Sequence, residues 1–416
     1  MGKEPEIFTF GCRLNAYESE IIEQNLIEKG LKDIAVYNSC AVTEEAIRQV
    51  KYSIRKKRRD EPNTKIVVTG CAAQIEPQSF LEMEEVDKVL GNSEKRDISS
   101  HLLRNNNNLV SDIMINEDPL NSLRNGYKSK TRAFVEIQNG CNHRCTFCVI
   151  PFGRGNLRSK SKEQVIKEIN NLINEGHKEI ILTGVDIASW NMENKKEASL
   201  GILIEYILSE APRLERLRLS SMDVIGFDEK LIDLIANNKR ILPHIHLSLQ
   251  SGDNLILKRM KRRHLREDAI DLCDQLKQKR PEISFGADLI VGFPTETEEM
   301  FQNTLDIIEE CQLDWIHAFP FSPRPGTPAA KMPQNDNKLI KLRSKILRDV
   351  AKQRKIKHLE NLVGKNIEVF VEKDNKGHSN QFAPIKLIEK EIKSGQTITA
   401  LIKSSDENFA HALQYN

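Results

Sequence analysis

Between residues 5 and 95, short apolar runs alternate with amphipathic stretches whose apolar positions recur at helical spacing. The runs at 6–10, 33–37 and 65–69 have strand length and the stretches at 17–30, 44–60 and 76–85 have helix length, which predicts a parallel α/β sheet. Polar, Asn-rich sequence from 96 to 130 carries little period and predicts a linker. Strand-like runs then recur at 133–138, 179–183, 216–219, 244–249, 285–291 and 315–320, with helical sequence between them. A βα unit repeated about six times predicts a partial TIM-like (β/α)6 barrel with its functional face at the C-terminal strand ends. A basic helix pattern covers 337–360. Beyond it, 367–372 and 397–403 alternate as strands, and Gly377, Pro384 and Gly395 mark turns, the pattern of a small β-barrel. The expected class is therefore α/β in three parts: 1–120, 121–356 and 357–416.

The chain has 416 residues and eight cysteines, and the cysteines fall at telling places on this pattern. Cys12, Cys40 and Cys71 each lie just past a predicted strand and just before a predicted helix. In an open α/β sheet, that edge is where ligands bind. Three strand ends could bring three thiols to one site; the alternative is three separate buried thiols, a common fate of free cysteine. Cys141, Cys145 and Cys148 share a single loop after the first barrel strand. Their Cys-x3-Cys-x2-Cys spacing lets one loop wrap three corners of an iron–sulfur cubane, leaving the fourth iron open to a small molecule. Zinc would call for a fourth Cys or His at similar spacing; His143, between the first two cysteines, is expected to point outward. An odd trio cannot pair off as disulfides. Cys273 and Cys311 sit among apolar residues in helical sequence and read as inert core thiols.

The 62 Lys and Arg nearly balance the 60 Asp and Glu, yet the charges cluster. Arg48, Lys51, Arg55, Lys56, Lys57, Arg58 and Arg59 crowd one helix, and Lys258, Arg259, Lys261, Arg262 and Arg263 follow the fourth barrel strand. Such runs suit the phosphates of a nucleic acid or make a solvated helix face. The sequence opens with no basic-then-apolar leader, and no apolar run reaches the ~18 residues of a membrane span. A cytoplasmic protein without a membrane partner is expected, in a reducing compartment that favours metal ligands or buried thiols over disulfides.

The loop Cys141-x3-Cys145-Thr146-Phe147-Cys148 at the opening of a barrel resembles the signature of radical S-adenosylmethionine (SAM) enzymes. Nearly the whole chain resembles the methylthiotransferases among them. The resemblance rests on Thr9-Phe10-Gly11-Cys12-Arg13-Leu14-Asn15 followed by Tyr17-Glu18-Ser19-Glu20, on Asn38-Ser39-Cys40-Ala41-Val42-Thr43, and on Thr69-Gly70-Cys71-Ala72. In the barrel it rests on Gly140 to Gly155 with Arg158-Ser159, Thr183-Gly184-Val185-Asp186, Ser248-Leu249-Gln250-Ser251-Gly252, the run from Asp288 through Gly292 to Glu296, and Ser322-Pro323-Arg324-Pro325-Gly326-Thr327.

The resemblance implies two 4Fe-4S clusters. One is held by Cys12, Cys40 and Cys71; the other, held by Cys141, Cys145 and Cys148, binds SAM at its open iron with Phe147 near the adenine. Ile150, Thr183, Gly184, Asp186, Ser248, Gln250 and Gly292 are the expected neighbours of SAM, although the Gly-Gly-Glu-Pro segment of many radical SAM enzymes is absent and Thr183-Gly184-Val185-Asp186 stands in its place. The 377–384 segment resembles an RNA-binding TRAM β-barrel, with Phe382 where tyrosine is usual. The implied activity is methylthiolation of N6-threonylcarbamoyladenosine beside a tRNA anticodon, with SAM as both radical source and methyl donor. Implied partners are the tRNA anticodon stem-loop and an electron donor such as flavodoxin or ferredoxin, for a monomeric enzyme.

The first motif points to this branch, because isopentenyladenosine enzymes usually carry Gln-Met after the cysteine. Arg154, Arg158 and Arg324, in loops at the barrel mouth, are candidates to pair the threonyl carboxylate, or to hold phosphates or SAM. The alternatives are an isopentenyladenosine or ribosomal-protein methylthiotransferase, a radical SAM methylase, which would not need the N-terminal trio, and a non-catalytic iron–sulfur RNA-binding protein.

Overall fold

Strands β1 (Glu6–Thr9), β2 (Ile34–Ser39), β3 (Lys65–Gly70), β4 (Lys88–Leu90) and β5 (Asn108–Leu109) pair in sequential order as an all-parallel sheet. β2 is buried along its whole length, as a parallel strand covered on both faces must be. This is a computed structural model, and it describes residues 2–102, 107–116, 120, 127, 131–192, 199–388 and 392–415.

Helices α1 (Arg13–Glu28), α2 (Glu44–Asp60), α3 (Cys71–Ile75), α4 (Gln78–Leu81) and α5 (Ile98–Leu102) accompany the sheet. α2 starts where its sequence says it should: Thr43 accepts a bond from the Ala46 N–H at 3.2 Å, and Glu44 and Glu45 lie in the first turn with Lys57, Arg58 and Arg59 in the last. Of the helix expected at 76–85 only the short α4 forms, and α3 ends just before that stretch. Pro77, without an N–H and restrictive toward Glu76, separates them. Part of the expected linker is structured, since β5 extends the sheet beside β4. Residues 103–106 and, apart from Leu120 and Tyr127, residues 117–130 lie outside the described residues, and with them the boundary expected after 120.

The middle part contains β6 (Arg132–Glu136), β7 (Gln138–Asn139), β8 (Arg158–Ser159), β9 (Glu179–Thr183), β10 (Arg216–Leu219), β11 (His244–Gln250), β12 (Ser284–Val291) and β13 (Leu313–Pro320), with α6 (Ile150–Arg154) between β7 and β8. β6, β9 and β10 form one parallel sheet and β11, β12 and β13 another. The bridges Leu217–Ile241 and Met222–Leu247 join the two into one curved wall. Among the described residues no pairing returns from β13 to β6, so the barrel is open along that side. Leu14, Tyr17 and Ile21 of α1 share a core with Ala133 and Val135 of β6. Burying each such side chain contributes about 1.5–3 kcal/mol, and together they dock the first part against the barrel.

Helix Asn337–Glu360 leads to a closed barrel of β14 (Asn366–Val371), β15 (Lys376–Ser379), β16 (Pro384–Leu387), β17 (Thr397–Ser405) and β18 (Ala410–Gln414), in the order β14-β15-β16-β18-β17. Its 379–382 loop grips the N-terminal strand ends of the middle barrel. Arg218 donates to the carbonyls of Asn380 and Ser379 at 2.9 and 2.8 Å, and Ser284 Oγ donates to the Gln381 carbonyl at 2.8 Å. No helix among the described residues is long and apolar enough to cross a membrane.

Candidate active site

Cys12 is the N-cap of α1, Cys40 follows β2, and Cys71 opens α3 after β3. The loop before Cys12 passes so close to Cys40 that a Cβ on Gly11, whose φ is +96°, would lie 2.8 Å from the Cys40 sulfur. The three thiols share one electrostatic site. Burial pushes Cys40 up to about 11, and the neighbouring Cys71 and Cys12 add to that. Asn15 Nδ2 donates to the Phe10 and Ser39 carbonyls at 2.7 and 3.0 Å and so ties the Cys12 loop to the Cys40 loop. Asn92 Nδ2 lies 3.8 Å from Cys71 Sγ.

The second trio is half-buried on the loop between β7 and α6. Burial and then Asp186 push Cys141 up to about 11; burial pushes Cys148 up to about 12, with Cys145 a neighbouring charge of both. Arg262 Nη1 lies 3.7 Å from Cys145 Sγ while its Nη2 donates to the Ser248 carbonyl at 2.8 Å. Thiols raised this far ionise on meeting a cation, and grouped sulfur donors suit iron–sulfur ligation. Both donor sets therefore fit the expected clusters.

The elements that carry the two trios meet across the interface of the first two parts, where α3 packs on α6. Gly153, five residues beyond Cys148, faces α3 so closely that a Cβ there would sit 3.2 Å from Cys71 Cβ. A cavity of about 470 Å³ opens at this junction, walled by Gln74 and Ile75 of α3, by Val149 and Phe152 after Cys148, and by Pro325 and Gly326.

A buried charge network stands behind the junction. Glu18 accepts bonds from Arg154 and Arg96 at 2.9 Å and pairs with Lys95, and Arg96 also makes a forked pair with Glu136 at 2.7 Å. Three cations thus face two carboxylates. Arg154 is held charged by Cys71, Glu18 and Cys12 against the cost of burial, so the surplus positive charge points at the first trio, as thiolates carrying a cluster require. Lys95, Arg96, Glu136 and Asn92 had no local signal in the sequence; their partners are tens of residues away along the chain.

The expected site residues fall in several places. Thr183 ends β9 and Gly184 and Asp186 follow it, Ser248 and Gln250 end β11, and Gly292 follows β12, all on the C-terminal rim. Ile150 begins α6. Phe147 packs with Ile256, Met260, Phe293, Phe321 and Ala329. His143 does not point outward: its Nε2 is 2.9 Å from Asp186 Oδ2, which groups Cys141, His143 and Asp186 within 4.8 Å.

Of the three arginines expected at the mouth, Arg154 is 2 % exposed and committed to Glu18, so it belongs to the interdomain network rather than to a free anion pocket. Arg324 is buried with Nη2 3.5 Å from Glu76, and Arg158 Nη1 donates to Asn116 at 2.8 Å. The basic runs are partly spent as well. Lys57 pairs with Glu6 and Glu61, Arg58 with Asp87, and Arg262 and Arg263 with Asp223, while Arg55, Lys56 and Arg59 stay exposed on α2, Arg55 3.8 Å from Glu85 and Arg59 3.4 Å from Asp60. Cys273 and Cys311 lie buried in the barrel core, where a hydrogen bond between them and burial hold the Cys273 thiol well up.

Residues 135–308 match the model of the Radical SAM superfamily, and residues 5–91 match that of Uncharacterized protein family UPF0004. A threonylcarbamoyladenosine tRNA methylthiotransferase of Rickettsia prowazekii is 44 % identical, over 97 % of this chain and 96 % of that protein. One of Aquifex aeolicus is 34 % identical over 91 % of this chain and 95 % of its own. A tRNA-2-methylthio-N(6)-dimethylallyladenosine synthase of Orientia tsutsugamushi is 31 % identical over 90 % of this chain and 89 % of its own. Among solved structures, the radical S-adenosylmethionine methyltransferase TsrM of Kitasatospora setae shares the fold, with a TM-score of 0.57 at 15 % identity over 77 % of this chain and 75 % of that one.

Proposed function

Because the chain belongs to the radical SAM methylthiotransferases, in their threonylcarbamoyladenosine branch, we propose that it replaces the C2 hydrogen of N6-threonylcarbamoyladenosine beside a tRNA anticodon with a methylthio group. It is an enzyme with two 4Fe-4S clusters and SAM as cofactors. The observation that carries the reading is the close packing of Gly153, on the helix that follows the second trio, against Cys71 of the first.

When bound, the cofactors supply a carbon radical able to take an unactivated hydrogen, and a sulfur that a second SAM has methylated. In the proposal, Cys141, Cys145 and Cys148 hold the cluster that binds SAM, with Arg262 orienting the loop through Cys145 and Ser248. Phe147 and Ile150 line the loop side of the SAM site, and Thr183, Gly184, Asp186, Ser248, Gln250 and Gly292 its rim. Asp186, fixed by His143, offers an acceptor where the Gly-Gly-Glu-Pro segment would lie. Cys12, Cys40 and Cys71 hold the sulfur-bearing cluster, and Arg154 offsets its negative charge. The division into 1–120, 121–356 and 357–416 assigns one task to each part: sulfur, radical and RNA.

A base splayed out of the anticodon loop, the usual mode of single-stranded RNA recognition, would enter the cavity between α3 and Phe152. Arg55, Lys56 and Arg59 of α2, next to the exposed Tyr52, supply phosphate contacts and a stacking face. A small soluble electron donor of the flavodoxin or ferredoxin kind reduces the enzyme, which acts in the cytoplasm as a monomer.

The test gives purified, anaerobically reconstituted enzyme two anticodon stem-loops in parallel, one bearing threonylcarbamoyladenosine and one bearing isopentenyladenosine. Conversion of the first to its 2-methylthio form is expected; conversion of the second alone would overturn the substrate assignment.

A further inference from the structure

Arg13 is the first residue of α1 and follows Cys12 directly. Its guanidinium carbon lies 5.7 Å from the centroid of the Phe382 ring, and that ring is itself held by stacking on His244 and His378 at 5.1 and 4.6 Å. Among the described residues nothing accepts a hydrogen bond from Arg13 or forms an ion pair with it. Burial and the like charge of Arg132 oppose its charge, while Glu179, Asp288 and Cys12 favour it. Both of those carboxylates are already taken. Glu179 accepts from Arg216 and Arg218 at 2.8 and 2.9 Å, and Asp288 Oδ1 lies 3.0 Å from His246 and 2.9 Å from His317. Arg13 is half-buried, and a cation partly withdrawn from water without an anion carries a cost that is recovered when a charged ligand arrives.

The substrate supplies such a ligand beside the right atom. The threonylcarbamoyl group hangs from C6 of adenine, separated from C2 only by N1, and ends in a carboxylate. If C2 faces the sulfur site that Cys12 helps to build, that carboxylate must lie near the residues flanking Cys12. We infer that Arg13 pairs with the threonyl carboxylate and is the residue that distinguishes this substrate from adenosines with an uncharged N6 substituent. The inference rests on the substrate reading given above. It replaces Arg154, Arg158 and Arg324 in that role, since each of those already has a partner in the protein.

The experiment uses the full-length, cluster-loaded protein and two anticodon stem-loops that differ only in the threonyl terminus, one a carboxylate and the other a carboxamide. Affinity is read by fluorescence anisotropy. Wild-type protein is expected to prefer the carboxylate by about tenfold or more, the worth of a charge-assisted fork. In Arg13→Gln and Arg13→Met, which lose the charge while Met keeps most of the apolar stem, the preference collapses toward about one, and Arg13→Lys keeps part of it. A preference that survives in either neutral variant overturns the inference alone. A wild-type protein with no preference also overturns the inference, while the substrate reading is decided separately by which stem-loop is converted.

Discussion

Glu18 is the residue on which the junction of the first two parts turns. Three cations converge on or beside its carboxylate, which is 1 % exposed. Glu18→Gln leaves those charges buried and under-compensated, a defect that costs about 3–5 kcal/mol in comparable sites. The thermal midpoint of the apo-protein should fall, and an unchanged midpoint would mean that solvent reaches the network. Residue by residue, the cysteines were the legible part of the site, because spacing along the chain alone sets them apart. Arg154 was legible as a motif residue but not by its role, since Glu18, its partner, lies 136 residues away. Nothing in the sequence gives Arg13 a role beyond its place in a motif; the ring of Phe382 and the absence of a counter-ion among the described residues mark it out.

At the scale of elements, the helical phase of α2 decides which of its many positive charges are available. Lys57 and Arg58 turn inward to Glu6, Glu61 and Asp87, while Lys56 and Arg59 stay in solvent. If α2 meets RNA, changing Lys56 and Arg59 together to Ala should weaken stem-loop binding. It should also flatten the plot of log affinity against log salt by about one to two units, as two lost phosphate contacts require. A slope equal to that of wild type would place the RNA elsewhere. Strands were read well because their apolar runs are short and bounded, and β9 and β10 begin and end where the pattern put them. The helix expected at 76–85 was misread because Pro77 interrupts a stretch that keeps its apolar period. β5 was hidden in Asn-rich sequence, because a two-residue edge strand has too few positions to show a period.

For the whole molecule, the three-part plan follows from composition, but its interlocking does not. The C-terminal barrel closes the base of the middle barrel through Arg216, Arg218, Ser284 and Trp315, all bonded to its 380–381 turn or the residue before it. Deleting 357–416 should therefore lower the solubility and melting temperature of what remains, beyond any loss of RNA affinity. A truncated chain as stable as the full one would show that the β-barrel is only an appended RNA module. The same interlocking brings Phe382 of the last part to within cation–π distance of Arg13 of the first, across the middle barrel.

The central claim is that two cysteine trios divide two tasks at one site, and Cys40→Ala tests it with Cys148→Ala as the reference. One anaerobic reaction with threonylcarbamoyladenosine stem-loop is analysed by mass spectrometry for 5′-deoxyadenosine and for the 2-methylthio nucleoside together. The account predicts that Cys148→Ala yields neither, and that Cys40→Ala yields 5′-deoxyadenosine without methylthiolated product. An undiminished yield of the 2-methylthio nucleoside from Cys40→Ala would contradict it and return Cys12, Cys40 and Cys71 to the status of buried thiols.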